Sequence, residues 1–315
     1  MKYFSRLLEE LKAYPEKFNP GDNLPAPKLL SEFDRGGGRK LRFLKMGLDK
    51  PGPAYVFIHG FGSFFMDWPR IMAPIAHKHS TYALDLPGWG FSDPSDETRG
   101  MHAHAEDLAE FIKHIGHSEV ILCGISYGAA VVWATGTLRI PQIKKLVLLN
   151  PMPPFPLRWL HSRLYRLIFF VNQVTLFSKL AHRFLTKGQF KRTCRENLLK
   201  SRLLDNFYLE LGYMVLKQHK VQRTVHIFSR FAHEIDWKKW EQELSKINVP
   251  TLILQGNEDK LFSRKSVSYL QSVIPGSRLE FVPDCGHAMV FDQHRVVVKA
   301  LLNKEKFENL AQKEI

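Results

Sequence analysis

The stretch VILCGISYGAAVVWATGTL (residues 120–138) decides how the rest of the chain is read. Val120–Cys123 is a short apolar run of the kind that lies buried in a sheet. Gly124-Ile125-Ser126-Tyr127-Gly128 follows it, and Ala129–Leu138 continues at helical spacing. Strand, tight turn and helix in immediate succession form the first part of a parallel βαβ unit. The two glycines suit a serine lifted on a strained turn, because a side chain at either flank would meet the strand or the helix. The helix starting there aims its unpaired N–H groups and positive dipole end at the same point.

The same alternation extends in both directions. Apolar runs at Tyr55–Ile58, Thr81–Leu84, Leu146–Leu149, Thr251–Leu254 and Leu279–Val282 read as strands. Amphipathic stretches near 67–77, 101–115, 264–273 and 289–303 read as helices, and KLLSEF (28–33) with KLRFLKM (40–46) as a hairpin about Gly36–Gly38. The expected fold class is therefore α/β, a mostly parallel sheet flanked by helices. Ligands of such sheets lie beyond the carboxyl ends of the strands, so function is sought just after each apolar run.

Two of those segments supply partners for Ser126. Gly256-Asn257-Glu258-Asp259 follows one strand and Gly286-His287 another. A serine hydroxyl needs a base to take its proton, and the base needs an orienting acid. The order Ser126, Asp259, His287 supplies both, with spacing favouring Asp259 over Glu258. Asn150 ends the strand before the insertion, which excludes an acid there. His59-Gly60-Phe61-Gly62-Ser63 follows the first parallel strand. The Phe61 and Tyr127 N–H groups are the candidate oxyanion donors, and His59 reads as a hydrogen-bonded scaffold residue.

These segments together resemble the α/β-hydrolase fold superfamily, in its lid-bearing serine esterase/lipase-like group. The resemblance rests on HGFGS (59–63), DLPGWGFS (85–92), GISYG (124–128), GNEDKLF (256–262) and CGHAMVFD (285–292), and covers about 28–150 and 247–303. It implies Ser126 as nucleophile, His287 as base, Asp259 as acid, oxyanion amides from Phe61 and Tyr127, and no cofactor or metal. Related dehalogenases and epoxide hydrolases carry Asp at the elbow, so Ser126 argues against both activities. The implied reaction is hydrolysis of a carboxylic ester with an apolar acyl chain through an acyl-serine. C–C bond hydrolysis, thioester cleavage or acyl transfer would use the same residues. A ligand receptor or a membrane-associated interaction protein on this scaffold are the non-enzymatic alternatives.

The alternation breaks once. Pro151-Met152-Pro153-Pro154-Phe155-Pro156 reads as a rigid linker, and from there to about Lys246 only helical periodicity is found. The expected organisation is an amphipathic arm (1–20), an α/β core (21–151 and 247–315) and a basic helical cap or lid (152–246). The chain holds 45 Lys/Arg and 31 Asp/Glu, a net charge of +14; residues 151–246 alone hold 18 and 7. Within the cap, Leu157, Leu160, Leu164, Ile168 and Val171 recur at helical spacing with Arg158, Arg163 and Arg166 off the stripe. That stripe is expected to cover the site, with peripheral contact to an anionic membrane as a second role. No nucleic-acid motif accompanies the charge.

Composition excludes other classes. With 44 % hydrophobic and 24 % charged residues the chain is neither disordered nor fibrous. Three cysteines without CxxC spacing exclude a disulfide framework and favour a reducing compartment, and Cys285 reads as a packed thiol. Glu9 and Glu10 fall where a signal peptide needs an apolar run, and Leu167–Phe177 is too short to span a bilayer, so a cytoplasmic location is expected. In MHAHAED (101–107) the acids occupy positions where a metallo-hydrolase motif needs Asp and His. Two histidines at i, i+2 also diverge on a helix.

Overall fold

The computed structural model describes residues 28–36, 39–47, 52–94, 100–200, 206–234 and 236–303. The arm read at 1–20 lies outside the described residues. Among the described residues, eight strands form one sheet: β1 (Lys28–Asp34), β2 (Lys40–Met46), β3 (Ala54–Ile58), β4 (Thr81–Leu84), β5 (Val120–Ile125), β6 (Ile143–Leu149), β7 (Thr251–Gly256) and β8 (Arg278–Val282). Their order is β1-β2-β4-β3-β5-β6-β7-β8. The hairpin pairs antiparallel, with β1 at the edge and β2 on β4; the other neighbours are parallel. All residues of β3, β4, β5 and β7 are buried, as central strands covered on both faces require.

Helices α1 (Pro69–Ala76), α2 (Met101–Ile115) and α3 (Tyr127–Gly136) belong to the first half of the core. Every residue of α3 is buried, so its Ala-rich, uniformly apolar sequence faces no water. Among the described residues, seven helices lie between β6 and β7: α4 (Pro156–Trp159), α5 (Arg163–Gln173), α6 (Thr175–Phe184), α7 (Lys187–Asn197), α8 (Asn206–Leu216), α9 (His219–Glu234) and α10 (Trp237–Leu244). The second half of the core adds α11 (Arg264–Val273), α12 (Met289–Asp292) and α13 (His294–Leu302). Gln293 breaks the helix expected over 289–303 into the last two.

The single inward stripe expected over Leu157–Val171 is not what forms. Pro156 starts a one-turn helix, the chain then extends through Leu160, which bridges to Phe262, and Ser162 caps a new helix by accepting from the Tyr165 amide. The change of axis places Leu160 in the core but leaves Leu164 40 % exposed. A periodicity that crosses a helix break cannot keep one face.

Candidate active site

Ser126 sits between β5 and α3 at φ 54° and ψ −116°, a conformation that costs an L-residue roughly 1–3 kcal/mol. Backbone bonds hold it: its N–H donates to the Leu149 carbonyl at 3.0 Å, and its carbonyl accepts from Met152 at 3.1 Å. The flanking glycines are sterically required. A Cβ at Gly124 would lie 2.4 Å from the Gly128 carbonyl oxygen, and one at Gly128 would lie 2.3 Å from the Ile58 and His59 carbonyl oxygens.

His287 Nε2 lies 2.9 Å from Ser126 Oγ, and His287 Nδ1 lies 2.9 Å from Asp259 Oδ2. An ionised carboxylate only accepts, so Nδ1–H donates to Asp259 and the free lone pair on Nε2 faces the serine hydroxyl. The imidazole and the carboxylate side chains are 8 % and 1 % exposed. Asp259 is fixed by further donors: the Leu261 and Phe262 amides on Oδ1 at 2.7 and 3.2 Å, and Gln255 Nε2 on Oδ2 at 3.0 Å. Glu258 points elsewhere and accepts from the Cys285 amide at 2.8 Å. The structure thus brings Asp259, rather than Glu258, to the imidazole.

The residue that organises this end of the site is one the sequence used only to exclude an acid. Asn150, at φ 41°, donates through Nδ2 to the Gly286 and His287 carbonyls at 2.9 and 2.7 Å. Its Oδ1 accepts from the Gly256 amide at 2.6 Å. One buried amide therefore joins the Asp259-bearing and His287-bearing loops to the end of β6. Asp292 adds a second tie, accepting from the Gly286 and Lys200 amides at 2.8 Å each.

Phe61 and Tyr127, whose amides are the two candidate oxyanion donors, line the same cavity as Ser126, one after β3 and one at the start of α3. His59 stays neutral beneath them. Burial pushes its pKa down to about 4, its Nδ1–H donates to the Gly60 carbonyl, and Nε2 accepts from the Leu86 amide. The Phe61 ring packs on Trp89 of the core and on Phe169 and Phe228 of the cap, at centroid distances of 5.1, 5.4 and 5.0 Å. His102 and His104 do diverge: His104 is buried against the Tyr127 hydroxyl, whereas His102 lies exposed beside Glu106. Cys285 is fully buried and burial pushes its thiol pKa up, as a packed thiol requires.

Asp67 carried no motif in the sequence, yet it adjoins the site. Its carboxyl accepts from Ser63 Oγ at 2.6 Å and from the Tyr208 hydroxyl of α8, linking the Phe61 loop to the cap. Burial pushes its pKa up to about 6 against those hydrogen bonds. A carboxyl whose folded pKa exceeds its unfolded value near 3.9 favours folding when protonated. That contribution is present below about pH 4 and is lost as pH rises to about 6. Relative to Asp67→Asn, the wild-type chain is expected to lose about 3 kcal/mol of unfolding free energy across that window. Urea unfolding at a series of pH values measures it; parallel curves for the two proteins would contradict it.

Ser126 and His287 open into a cavity of about 350 Å³. Its walls come from the sheet and its flanking segments (Phe61, Ile125, Val290) and from the helices between β6 and β7 (Ile168, Phe190, Phe228), so closing it requires both. The lining is overwhelmingly apolar. The arrangement can polarise a hydroxyl and hold a hydrocarbon chain alongside.

Comparison with known proteins agrees with this architecture. Epoxide hydrolase 3 of Xenopus tropicalis is 23 % identical over 92 % of this chain and 84 % of its own length. The pimeloyl-[acyl-carrier protein] methyl ester esterase of Nitrosospira multiformis is 22 % identical over 75 % of this chain and 88 % of its own. Among solved structures, the Cif epoxide hydrolase of Acinetobacter nosocomialis superposes with a TM-score of 0.76 at 18 % identity, covering 94 % of this chain and 95 % of that one. Residues 53–293 match the family model described as the alpha/beta hydrolase fold. That segment runs from the start of β3 past α12 and contains every residue of the Ser126 site, and the chain belongs to the α/β hydrolase fold family.

Proposed function

We propose that this hydrolase cleaves carboxylic esters with an apolar acyl chain through an acyl-serine intermediate. The observation that carries the reading is the hydrogen-bonded chain Ser126–His287–Asp259 at the mouth of an apolar cavity. Ser126 Oγ attacks the ester carbonyl while His287 Nε2 takes its proton, and Asp259 steadies the imidazolium that forms. The Phe61 and Tyr127 amides receive the oxyanion, each worth on the order of 3–4 kcal/mol of barrier. His287 then protonates the leaving alcohol. Water, deprotonated by the same imidazole, attacks the acyl-serine and releases the acid.

Relatives named for epoxide hydrolysis share the fold, but the nucleophile here separates the two chemistries. A carboxylate that opens an epoxide leaves an ester, which water can cleave. A serine that did so would leave an ether, which the site has no means to break. Ester cleavage regenerates the hydroxyl and fits Ser126.

The test is a panel of soluble aryl esters of increasing acyl length together with labelling by a fluorophosphonate probe. We expect kcat/KM to rise with acyl length before falling, and the probe to label the wild-type chain but not Ser126→Ala. Equal labelling of both, or turnover indifferent to acyl length, would contradict the reading.

A further inference from the structure

The outer face of the cap is apolar where water would favour polar groups. On α5, Leu167 and Phe170 are 56 and 66 % exposed; on α6, Leu176, Phe177 and Phe184 are 61, 51 and 69 % exposed. None of these lines the cavity. Ile168 and Phe169 of α5, and Ala181 and His182 of α6, do so instead. Both helices are therefore apolar on two sides, one roofing the pocket and one facing outward. On α6 the outward positions 176, 177, 180 and 184 fall at i, i+1, i+4 and i+8, a continuous helical face. The two helices meet at Val174, itself 45 % exposed. Among the described residues, the large exposed apolar side chains outside this helix pair are Val296 and Leu302 alone. The concentration marks an interaction surface rather than ordinary surface scatter.

Charge selects the partner. No Asp or Glu occurs from Val120 to Arg195, whereas 157–195 carry nine Lys/Arg. Arg163 at the start of α5, and Lys179 and Arg183 on α6, are exposed beside the apolar ridge. Two copies apposed through this face would bring cation against cation with no acid between them. The arm at 1–20, with four basic and three acidic residues, has no acidic excess to offset that charge either. A leaflet that is hydrocarbon below and anionic at its rim matches both properties. Apolar side chains enter it while Lys and Arg extend their heads to the phosphates.

We propose that α5 and α6 form a docking face for the surface of an anionic phospholipid bilayer. Because the same helices roof the cavity, docking sets the pocket against a source of apolar acyl chains. In that respect the inference builds on the ester reading, but the binding itself does not need Ser126 chemistry.

The experiment is flotation of the full chain, and of Ser126→Ala, with vesicles of phosphatidylcholine alone or with about one third phosphatidylglycerol. Both proteins are expected to bind the mixed vesicles at least about tenfold more tightly than the neutral ones, with binding weakened by salt. Phe170→Glu with Phe177→Glu is expected to reduce binding at least about tenfold without moving the thermal melt. Arg163→Gln with Lys179→Gln and Arg183→Gln is expected to remove the preference for phosphatidylglycerol. This second variant keeps the test decisive if the first fails to fold. Three results would overturn the proposal: equal binding to both vesicles, wild-type binding by both variants, or a dimer in solution that the Phe170/Phe177 substitutions dissolve. Binding that appears only after removal of residues 1–20 would also overturn it, since the arm would then be the occupant. Failure of Ser126 to turn over esters leaves every one of these readouts in place.

Discussion

Ser126→Ala is expected to lower kcat on a soluble aryl ester by about ten-thousand-fold or more while leaving KM within a few-fold of wild type. The hydroxyl makes the bond that defines the intermediate, so no neighbouring group replaces it. The cavity walls and the two amides remain, and substrate still binds. His287→Ala is expected to fall to a similar level, because the two residues act as one unit and their losses do not add. Asp259→Asn separates the acid from its neighbour. It places a donor opposite the Nδ1–H of His287 and favours the wrong tautomer, which costs about ten-thousand-fold. Glu258 accepts from the Cys285 amide rather than from the imidazole, so Glu258→Gln is expected to stay within about tenfold of wild type. Steady-state kinetics on one aryl ester measures all four. Comparable losses at Glu258 and Asp259 would refute the assignment of the acid.

Asn150→Asp is expected to be the most destabilising single-atom exchange near the site, at about 3–6 kcal/mol. The side-chain amide donates twice, to the Gly286 and His287 carbonyls, and accepts once from Gly256. A carboxylate cannot donate, so two buried carbonyl oxygens would face a negative oxygen at a position with no solvent exposure of its own. The introduced carboxyl can restore one donor only when protonated, so the loss is expected to deepen as pH rises. Urea unfolding at pH 5 and pH 8 reads both effects, and turnover should fall with stability because the His287 backbone loses its tether. Unfolding midpoints equal to wild type at both pH values would show that Asn150 is not the tie between the two loops.

Much of the core was legible because its signals are local. Val120–Cys123 and the Gly-flanked serine announce β5, the elbow and α3 within twenty residues, and the glycine requirement appears in the structure as backbone oxygens 2.3–2.4 Å from an added Cβ. The start of β6 was harder to read. It begins at Ile143, but Lys144 and Lys145 hide the apolar run that the sequence shows only from Leu146. Asp259 and His287 could be placed because each follows a strand by a short loop. Asn150 works through partners more than 100 residues away, as Asp67 does through Tyr208, and no spacing rule reaches that far.

The cap resisted reading for a different reason. Periodicity reports which residues share a helical face, but not which face is inward when two faces are apolar. Ile168 and Phe169 turn to the cavity while Leu167 and Phe170 turn away from it. The break at Leu160–Ser162 also rotates the stripe, so a pattern that looks continuous from 157 to 171 belongs to two helices. Charge balance, by contrast, does not depend on which way a side chain points. No helix among the described residues is long and apolar enough to cross a membrane.

The most direct measurement is the mass of the protein caught during turnover of a slowly deacylated ester, with the modified peptide sequenced. The account predicts an increase equal to the acyl group, located on Ser126 and absent from Ser126→Ala. Turnover with an adduct on another residue, or with none under conditions where deacylation limits the rate, would contradict it.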